Sequence, residues 1–224
     1  MALAIFDLDN TLLAGDSDFL WGEYLVEQGL VDADSYAASN RKFYQEYLDG
    51  TLDIFAFLAF SLSPLTRYEP AQLEAWRHEF IQTKIEPLML PAAQELLAQH
   101  RHRDDTLLII TATNRFVTEP IARRLGVDHL LASEPELLDG RYTGRVVGTP
   151  TFREGKITAL RQWMLEHGHD IDGSWFYSDS HNDIPLLEEV SYPVAVDADP
   201  TLRKHAQQRG WPLISLRGDR LEPA

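Results

Sequence analysis

Ala2-Leu3-Ala4-Ile5-Phe6-Asp7-Leu8-Asp9-Asn10-Thr11 opens the chain with five apolar residues and then two carboxylates two positions apart. Apolar on both faces and only a few residues long, the run reads as a strand buried in the middle of a sheet. The acids read as the polar loop into which it emerges. Three later runs have the same character: Thr106-Leu107-Leu108-Ile109-Ile110-Thr111, Ser174-Trp175-Phe176-Tyr177-Ser178 and Tyr192-Pro193-Val194-Ala195-Val196, with Pro212-Leu213-Ile214-Ser215 a weaker fifth. Between them, segments 92–100, 116–125, 156–166, 182–188 and 201–209 carry apolar residues at helical spacing. Buried strands alternating with helices predict an α/β core, a doubly wound, parallel, Rossmann-like sheet with helices on both faces. Ligands of such sheets sit beyond the carboxyl ends of the strands. Asp7, Thr111 and, one residue past Ser178, Asp179 all fall there.

From about residue 17 to 86 the pattern changes to near-continuous helix rich in aromatics, broken near Gly29, Gly50 and Ser63-Pro64. The expected organisation is a catalytic core of residues 1–15 and 87–224, with a helical bundle cap of residues 16–86 inserted after the first strand as a lid over the strand ends. Segment 134–147, with Asp139-Gly140 between β-prone stretches, predicts a hairpin. The tail 217–224 is expected to fray. Composition narrows the function. Twenty Lys and Arg against 35 Asp and Glu leave 224 residues with a net charge of −15, which repels nucleic-acid phosphates and anionic lipid. No cysteine is present, so thiol nucleophiles, thiolate metal sites and disulfides are excluded. The longest apolar run, 54–60, is far short of the ~20 residues a bilayer span needs. With Asp7 following so closely on Met1, a cytoplasmic location is the expectation.

Asp7-x-Asp9-x-Thr11 alone could be a turn and a helix cap. Three further features in fixed order weigh against that reading: Thr111 ending a second strand, Lys156 beginning a helix, and Asp179-Ser180-His181-Asn182-Asp183 following a third strand. Together, Phe6-Asp7-Leu8-Asp9-Asn10-Thr11-Leu12-Leu13, Ile110-Thr111-Ala112-Thr113, Gly155-Lys156 and Ser178-Asp179-Ser180-His181-Asn182-Asp183 resemble the four motifs of the haloacid dehalogenase superfamily. The resemblance covers the chain from Ala4 to about Leu187. With a helical insert directly after the first motif, the chain is similar to the subgroup that includes phosphoserine phosphatases and related phosphomonoesterases. The resemblance implies Asp7 as nucleophile, Asp9 as general acid and base, and Thr111 and Lys156 as phosphate binders, with Ala112, Thr113 and Asn182 beside them. It also implies Mg²⁺ held by Asp7, the Asp9 carbonyl and Asp179, with Asp183 behind.

Elementary chemistry agrees with those roles. A carboxylate approaching a phosphate dianion meets repulsion of about 4 kcal/mol per charge pair at 4 Å and an effective dielectric of 20. A divalent cation with oxygen ligands, a lysine and hydroxyl or backbone donors offset that cost. Transfer to Asp7 splits hydrolysis into two in-line displacements through an aspartyl phosphate, and Asp9 must start the first with a proton, which calls for a raised pKa. Competing motifs fail. Gly155-Lys156 lacks the Ser or Thr and the first Gly of a P-loop, since Ile157 and Pro150 stand there. His100-x-His102 and His167-x-His169 are expected to be solvated imidazoles at helix ends, and His181 to touch substrate or pack the loop.

The substrate is read from the link into the insert, Ala14-Gly15-Asp16-Ser17-Asp18-Phe19. Phosphoserine phosphatases as a family hold the substrate amine with an acid here and its carboxylate with an Arg from the insert. Asp16 matches the acid, with Asp18 and Glu23 close by, but Asp53-Ile54-Phe55-Ala56-Phe57-Leu58-Ala59-Phe60-Ser61 carries no Arg. A carboxylate left unpaired in a closed site is costly. A small phosphomonoester with an amine, a flat ring and no carboxylate fits better, and histidinol phosphate is the expected substrate. Phosphoserine, a phosphotransferase or mutase reaction, and a non-catalytic phosphate-binding domain are the alternatives. Either a monomer or a homodimer is compatible with the sequence.

Overall fold

The computed structural model describes residues 2–218. Its seven-stranded sheet has the order β4-β3-β2-β1-β5-β6-β7, built from β1 (Leu3–Phe6), β2 (Thr106–Asn114), β3 (His129–Leu138), β4 (Arg141–Val147), β5 (Trp175–Ser178), β6 (Tyr192–Val196) and β7 (Leu213–Ile214). All neighbours run parallel except β3 and β4. The chain leaves β1 toward β2 on one side and returns to β5 on the other, so β1 and β5 flank the switch point where such sheets bind ligands.

Alternation along β1 builds two cores. Ala4 and Phe6 face a cluster with Leu97, Ile109 and Ile121, whereas Leu3 and Ile5 face Leu108, Ile110, Leu160 and Phe176. The first face is covered by α5 (Pro91–His102) and α6 (Arg115–Arg124), the second by α7 (Glu154–His167), α8 (Ile184–Leu187) and α9 (Pro200–Arg209). The doubly wound expectation holds. Two elements differ from it. β2 continues to Asn114, and the expected 134–147 hairpin is the far end of a strand that begins at His129 and pairs with β2 first. The half-exposed stretch His129-Leu130-Leu131 lacked the all-apolar signature because it lies near the sheet edge.

Between β1 and α5 lie α1 (Ser17–Glu27), α2 (Ala33–Leu48), α3 (Ile54–Leu62) and α4 (Pro70–Phe80), followed by a π turn at Ile81–Ile85 and a 3-10 turn at Glu86–Leu88. α1 and α4 are rooted in the first core: the Trp21 ring lies 5.1 Å from Phe80 and 5.6 Å from Phe116 of α6. α2 and α3 are the outer pair. α2 approaches α1 closely because position 22 is glycine; a Cβ there would sit 2.5 Å from Asn40 Nδ2. Of the tail expected to fray, Arg217 bonds the Asn10 carbonyl at 3.2 Å, and residues 219–224 lie outside the described residues.

His100 corrects an expectation. It is 1% exposed, with Nδ1 2.8 Å from Asp105 and Nε2 2.8 Å from the Tyr177 hydroxyl. α5 packs its last turn on the sheet, so a helix end that is polar in sequence is buried in space. Replacing His100 by Leu strands two buried polar groups and is expected to destabilise the fold by about 2–4 kcal/mol. A loss of unfolding free energy in urea smaller than about 0.5 kcal/mol would mean the ring only fills space.

Candidate active site

Asp7 extends the β1 ladder, its N–H donating to the Tyr177 carbonyl at 2.9 Å. The chain then turns on the Leu8 carbonyl, which accepts from Leu12 N–H at 2.9 Å, with Asn10 in the left-handed region at φ 58°. That turn sends the two carboxylates to different partners. Asp7 Oδ1 accepts from Lys156 Nζ at 2.8 Å, while Asp9 accepts from Ser17 N–H at 2.7 Å and from the Thr113 hydroxyl at 2.8 Å.

Lys156 is buried and bridges Asp7 to Asp183, also at 2.8 Å. The start of α7 reaches this depth because residue 155 is glycine; a Cβ there would lie 2.0 Å from the Pro150 carbonyl oxygen. The Ser178 hydroxyl fixes Asp183 at 2.7 Å, and the Thr11 hydroxyl donates to Asp179 Oδ1 at 3.0 Å. Thr111-Ala112-Thr113 is held from behind. Thr151 donates to the Thr111 carbonyl at 2.6 Å and Ser133 to the Ala112 carbonyl at 2.9 Å.

Burial is the main electrostatic force here. It pushes the Asp7 carboxyl up to about 7, opposed by Lys156 and reinforced by Asp183 and Asp9. Asp9 is also raised to about 7, by burial and then by the charge of Asp16. Asp179 is pushed well above the carboxylate range by burial and by Asp7. Burial works against the Lys156 ammonium, but Asp183 and Asp7 outweigh it and hold the proton on. With Asp7, Asp179 and Asp183 all ionised, one lysine would leave two negative charges uncompensated, which is the repulsion that adds to burial in raising Asp7 and Asp179. Among the described residues no three acidic or imidazole side chains converge on one point. Mg²⁺ is ordinarily held by one or two carboxylates plus water and phosphate, so the Asp7 and Asp179 carboxylates and the charge deficit fit it.

The pocket above Asp7 joins core to insert. Its walls hold Asp7, Asp9, Asp16 and Asp18, the strand-end residues Thr111, Ala112 and Thr113, Asn40, and the rings of Phe19, Phe43, Tyr44, Tyr47 and Phe57; among the described residues no Lys or Arg lines it. Asp16 is both a pocket residue and the N-cap of α1, accepting from Phe19 N–H at 2.8 Å. Burial raises its carboxyl to about 6. Glu23 is exposed and away from the pocket, as are Arg41 and Arg67. Arg115 is committed to Glu134 and the Leu130 carbonyl. Of the insert's phenylalanines, Phe55 is 60% exposed, Phe60 stacks on Tyr36 at 4.4 Å, and Phe57 lines the pocket.

Two residues of the loop after β5 have protein partners. Asn182 spends its amide on Arg153, at 3.0 Å, and on the Tyr47 carbonyl, at 3.1 Å. His181 is held by Asp199 at 2.9 Å, with Nε2 facing Gly50. Asn182 fastens the insert to the loop after β5, and His181 packs beside Gly50. Arg153, which the sequence did not mark, completes this junction by donating to the Gly50 carbonyl. It does so from a strained backbone, φ 51° and ψ −122°, a region that favours glycine.

A protein-family model described as haloacid dehalogenase-like hydrolase matches residues 4–188. A histidinol-phosphatase from Neisseria meningitidis is 45% identical over 96% of this chain and 99% of its own. A phosphoserine phosphatase from Mycobacterium tuberculosis is 32% identical over 96% of this chain and 71% of its own. Among solved structures, a Bordetella pertussis protein of unknown function superposes with a TM-score of 0.90 at 44% identity, covering 96% of this chain and 98% of that one. A phosphoserine phosphatase carrying a phospho-aspartyl intermediate analogue shares the fold at 21% identity, with a TM-score of 0.68. With the family model spanning most of the sheet and the insert, the chain belongs to the haloacid dehalogenase-like hydrolase family, among its phosphatases.

Proposed function

We propose that the protein hydrolyses histidinol phosphate in a Mg²⁺-dependent reaction through an aspartyl phosphate on Asp7. The observation that carries the substrate reading is the pocket wall: four carboxylates and five aromatic rings line it, and among the described residues no Lys or Arg does, Lys156 lying behind Asp7. An ammonium group and a flat ring are at home there, and a substrate carboxylate is not. The name of the Neisseria relative supports the same substrate.

Asp7 Oδ attacks phosphorus, the bond from phosphorus to the ester oxygen breaks, and Asp9 passes a proton to the departing alkoxide. Asp9 then takes a proton from a water that attacks the aspartyl phosphate, so phosphate leaves and Asp7 is restored. Lys156 holds a fixed positive charge against the phosphoryl oxygens, and Thr111 and the N–H groups of Ala112 and Thr113 orient them. Asp7, Asp179 and the Asp9 carbonyl, with Asp183 behind, would hold Mg²⁺, which would supply charge neutralisation at the phosphoryl group. Asp16 receives the ammonium. Core and insert close around the ester and exclude bulk water.

The discriminating experiment compares esters. The kcat/KM ratio of histidinol phosphate to phosphoserine is expected to be on the order of 100 or more, because an unpaired carboxylate costs a few kcal/mol. A ratio near one, or a preference for phosphoserine, would sink the substrate assignment. Metal binding has its own readout. Saturating Mg²⁺ at about 100 times its Kd is expected to add ~2.7 kcal/mol of stability, a rise of about 5–10 °C in Tm for a chain of this size. Asp179→Asn is expected to lose most of that rise, and a wild-type midpoint unmoved by Mg²⁺ would contradict the metal site. The chain contains no helix among its described residues long and apolar enough to cross a membrane.

A further inference from the structure

Asp18 lies in the first turn of α1, where an acid ordinarily serves the helix dipole from the surface. Here it is 6% exposed and lines the pocket. One carboxylate oxygen accepts from Asn114 Nδ2 at 3.1 Å. Asn114 is in turn fixed as the N-cap of α6, its own oxygen accepting from Val117 N–H at 3.2 Å. Asp18 is therefore aimed by the core, and among the described residues its second oxygen makes no hydrogen bond. Asn40 stands on the same wall. Its amide nitrogen donates to the Phe19 carbonyl at 2.9 Å, and among the described residues its carbonyl oxygen accepts no hydrogen bond.

The second Asp18 oxygen belongs to a pocket-lining residue, and a ligand that covers it without bringing an N–H leaves it desolvated and unpaired, which costs free energy. Asp16 is a separate acid with a separate task, since its carboxylate caps α1. Asp16, anchored as the cap of α1, and Asp18, anchored from Asn114 on α6, thus present acceptors from two different supports in the pocket, and a ligand with two separate nitrogen groups can serve both. The rings of Phe19, Tyr44, Phe43 and Phe57 on the same pocket wall suit a flat group. Phe19 and Tyr44 lie 4.8 Å apart and Phe43 and Phe57 5.7 Å apart.

We infer that Asp18, set by Asn114 and assisted by Asn40, forms a second nitrogen subsite that recognises the ring N–H of an azole and excludes carbocyclic rings of similar size. The inference rests on the proposed reading of the pocket and deepens it by assigning the residues that select the nitrogen heterocycle of an amino-alcohol phosphate over a carbocycle. The charge balance supports it. Burial, then Asp16 and Asp9, push the Asp18 carboxyl well above its ordinary value, and an N–H or cationic donor arriving beside it favours the anion.

The test uses the Mg²⁺-loaded full chain and esters that share the 2-amino-3-ring-propyl phosphate skeleton, one bearing imidazole and one bearing phenyl. In the wild type the kcat/KM ratio of the imidazole to the phenyl ester is expected to be about 100, because a site built to bond an N–H leaves its acceptor unpaired when the analogue lacks one. Asp18→Asn keeps the shape and the bond from Asn114 but turns an NH₂ toward the ligand, and the ratio is expected to fall below about 5. A wild-type ratio near one overturns the subsite without any variant. A wild-type ratio near 100 that survives in Asp18→Asn overturns the role of Asp18. Failure of the broader substrate reading looks different, since phosphoserine would then outrun both amino-alcohol esters.

Discussion

Asp7→Asn is expected to lower kcat on every phosphate ester by about 10⁴-fold or more, because the variant keeps the shape of the site and loses the atom that attacks. The geometry makes the substitution a clean one. Lys156 retains its 2.8 Å contact with Asp183, and the backbone bond from residue 7 to Tyr177 does not involve the side chain. Removing a buried carboxyl that burial already raises to about 7 leaves the fold intact, so a thermal midpoint close to wild type accompanies the loss. Acid quenching during turnover of a ³²P-labelled ester provides the second readout. The wild type is expected to retain label on the protein and the variant none. Turnover close to wild type, in protein free of wild-type contamination and of deamidation back to Asp, would falsify the covalent mechanism.

For Asp9→Asn the expected loss depends on the leaving group. On alkyl phosphates the single-turnover rate of phosphoryl transfer is expected to fall by about 10²–10⁴-fold, the range that a positioned general acid contributes. On an aryl phosphate, whose leaving group departs with little protonation, the loss is expected to be at least about tenfold smaller. Asp9 is suited to this task by its surroundings. Burial and Asp16 bring its carboxyl to about 7, and the Ser17 N–H and Thr113 hydroxyl aim it away from the Asp7–Lys156 pair. An amide in its place still accepts from Ser17 N–H. Equal losses on both classes of ester would remove Asp9 from the general-acid role.

Much of this architecture was legible in linear order because it depends on local pattern. A strand such as Leu3–Phe6, buried on both faces, must be apolar throughout. A functional residue at a strand end must follow that run directly, which is why Asp7, Thr111 and Asp179 stood out. The insert was legible for a related reason: helical spacing and its breaks at Gly29, Gly50 and Ser63-Pro64 are short-range features. β3 was only half read, since a strand near a sheet edge carries weaker apolar runs than a central one.

What the sequence determined by itself is the order of strands and helices, the acid-rich strand end and the set of charged residues from which a site is assembled. What only the tertiary structure decided is which of them meet. His100 and Asp18 are polar residues near helix termini, where surface placement is the ordinary outcome, yet docking of α5 on the sheet and of α1 on α6 buries both. His181 and Asn182 sit in the acid-rich loop after β5 but turn to the insert, because Gly50 and Tyr47 arrive there from more than 130 residues away. Arg153 bore no mark in sequence, since its importance lies in a strained backbone angle and a carbonyl 103 residues distant. Hydrophobic spacing is encoded within a few residues and survives reading one residue at a time. The partner of a buried polar group is set by the packing of elements remote in the chain, and becomes visible only once they are packed.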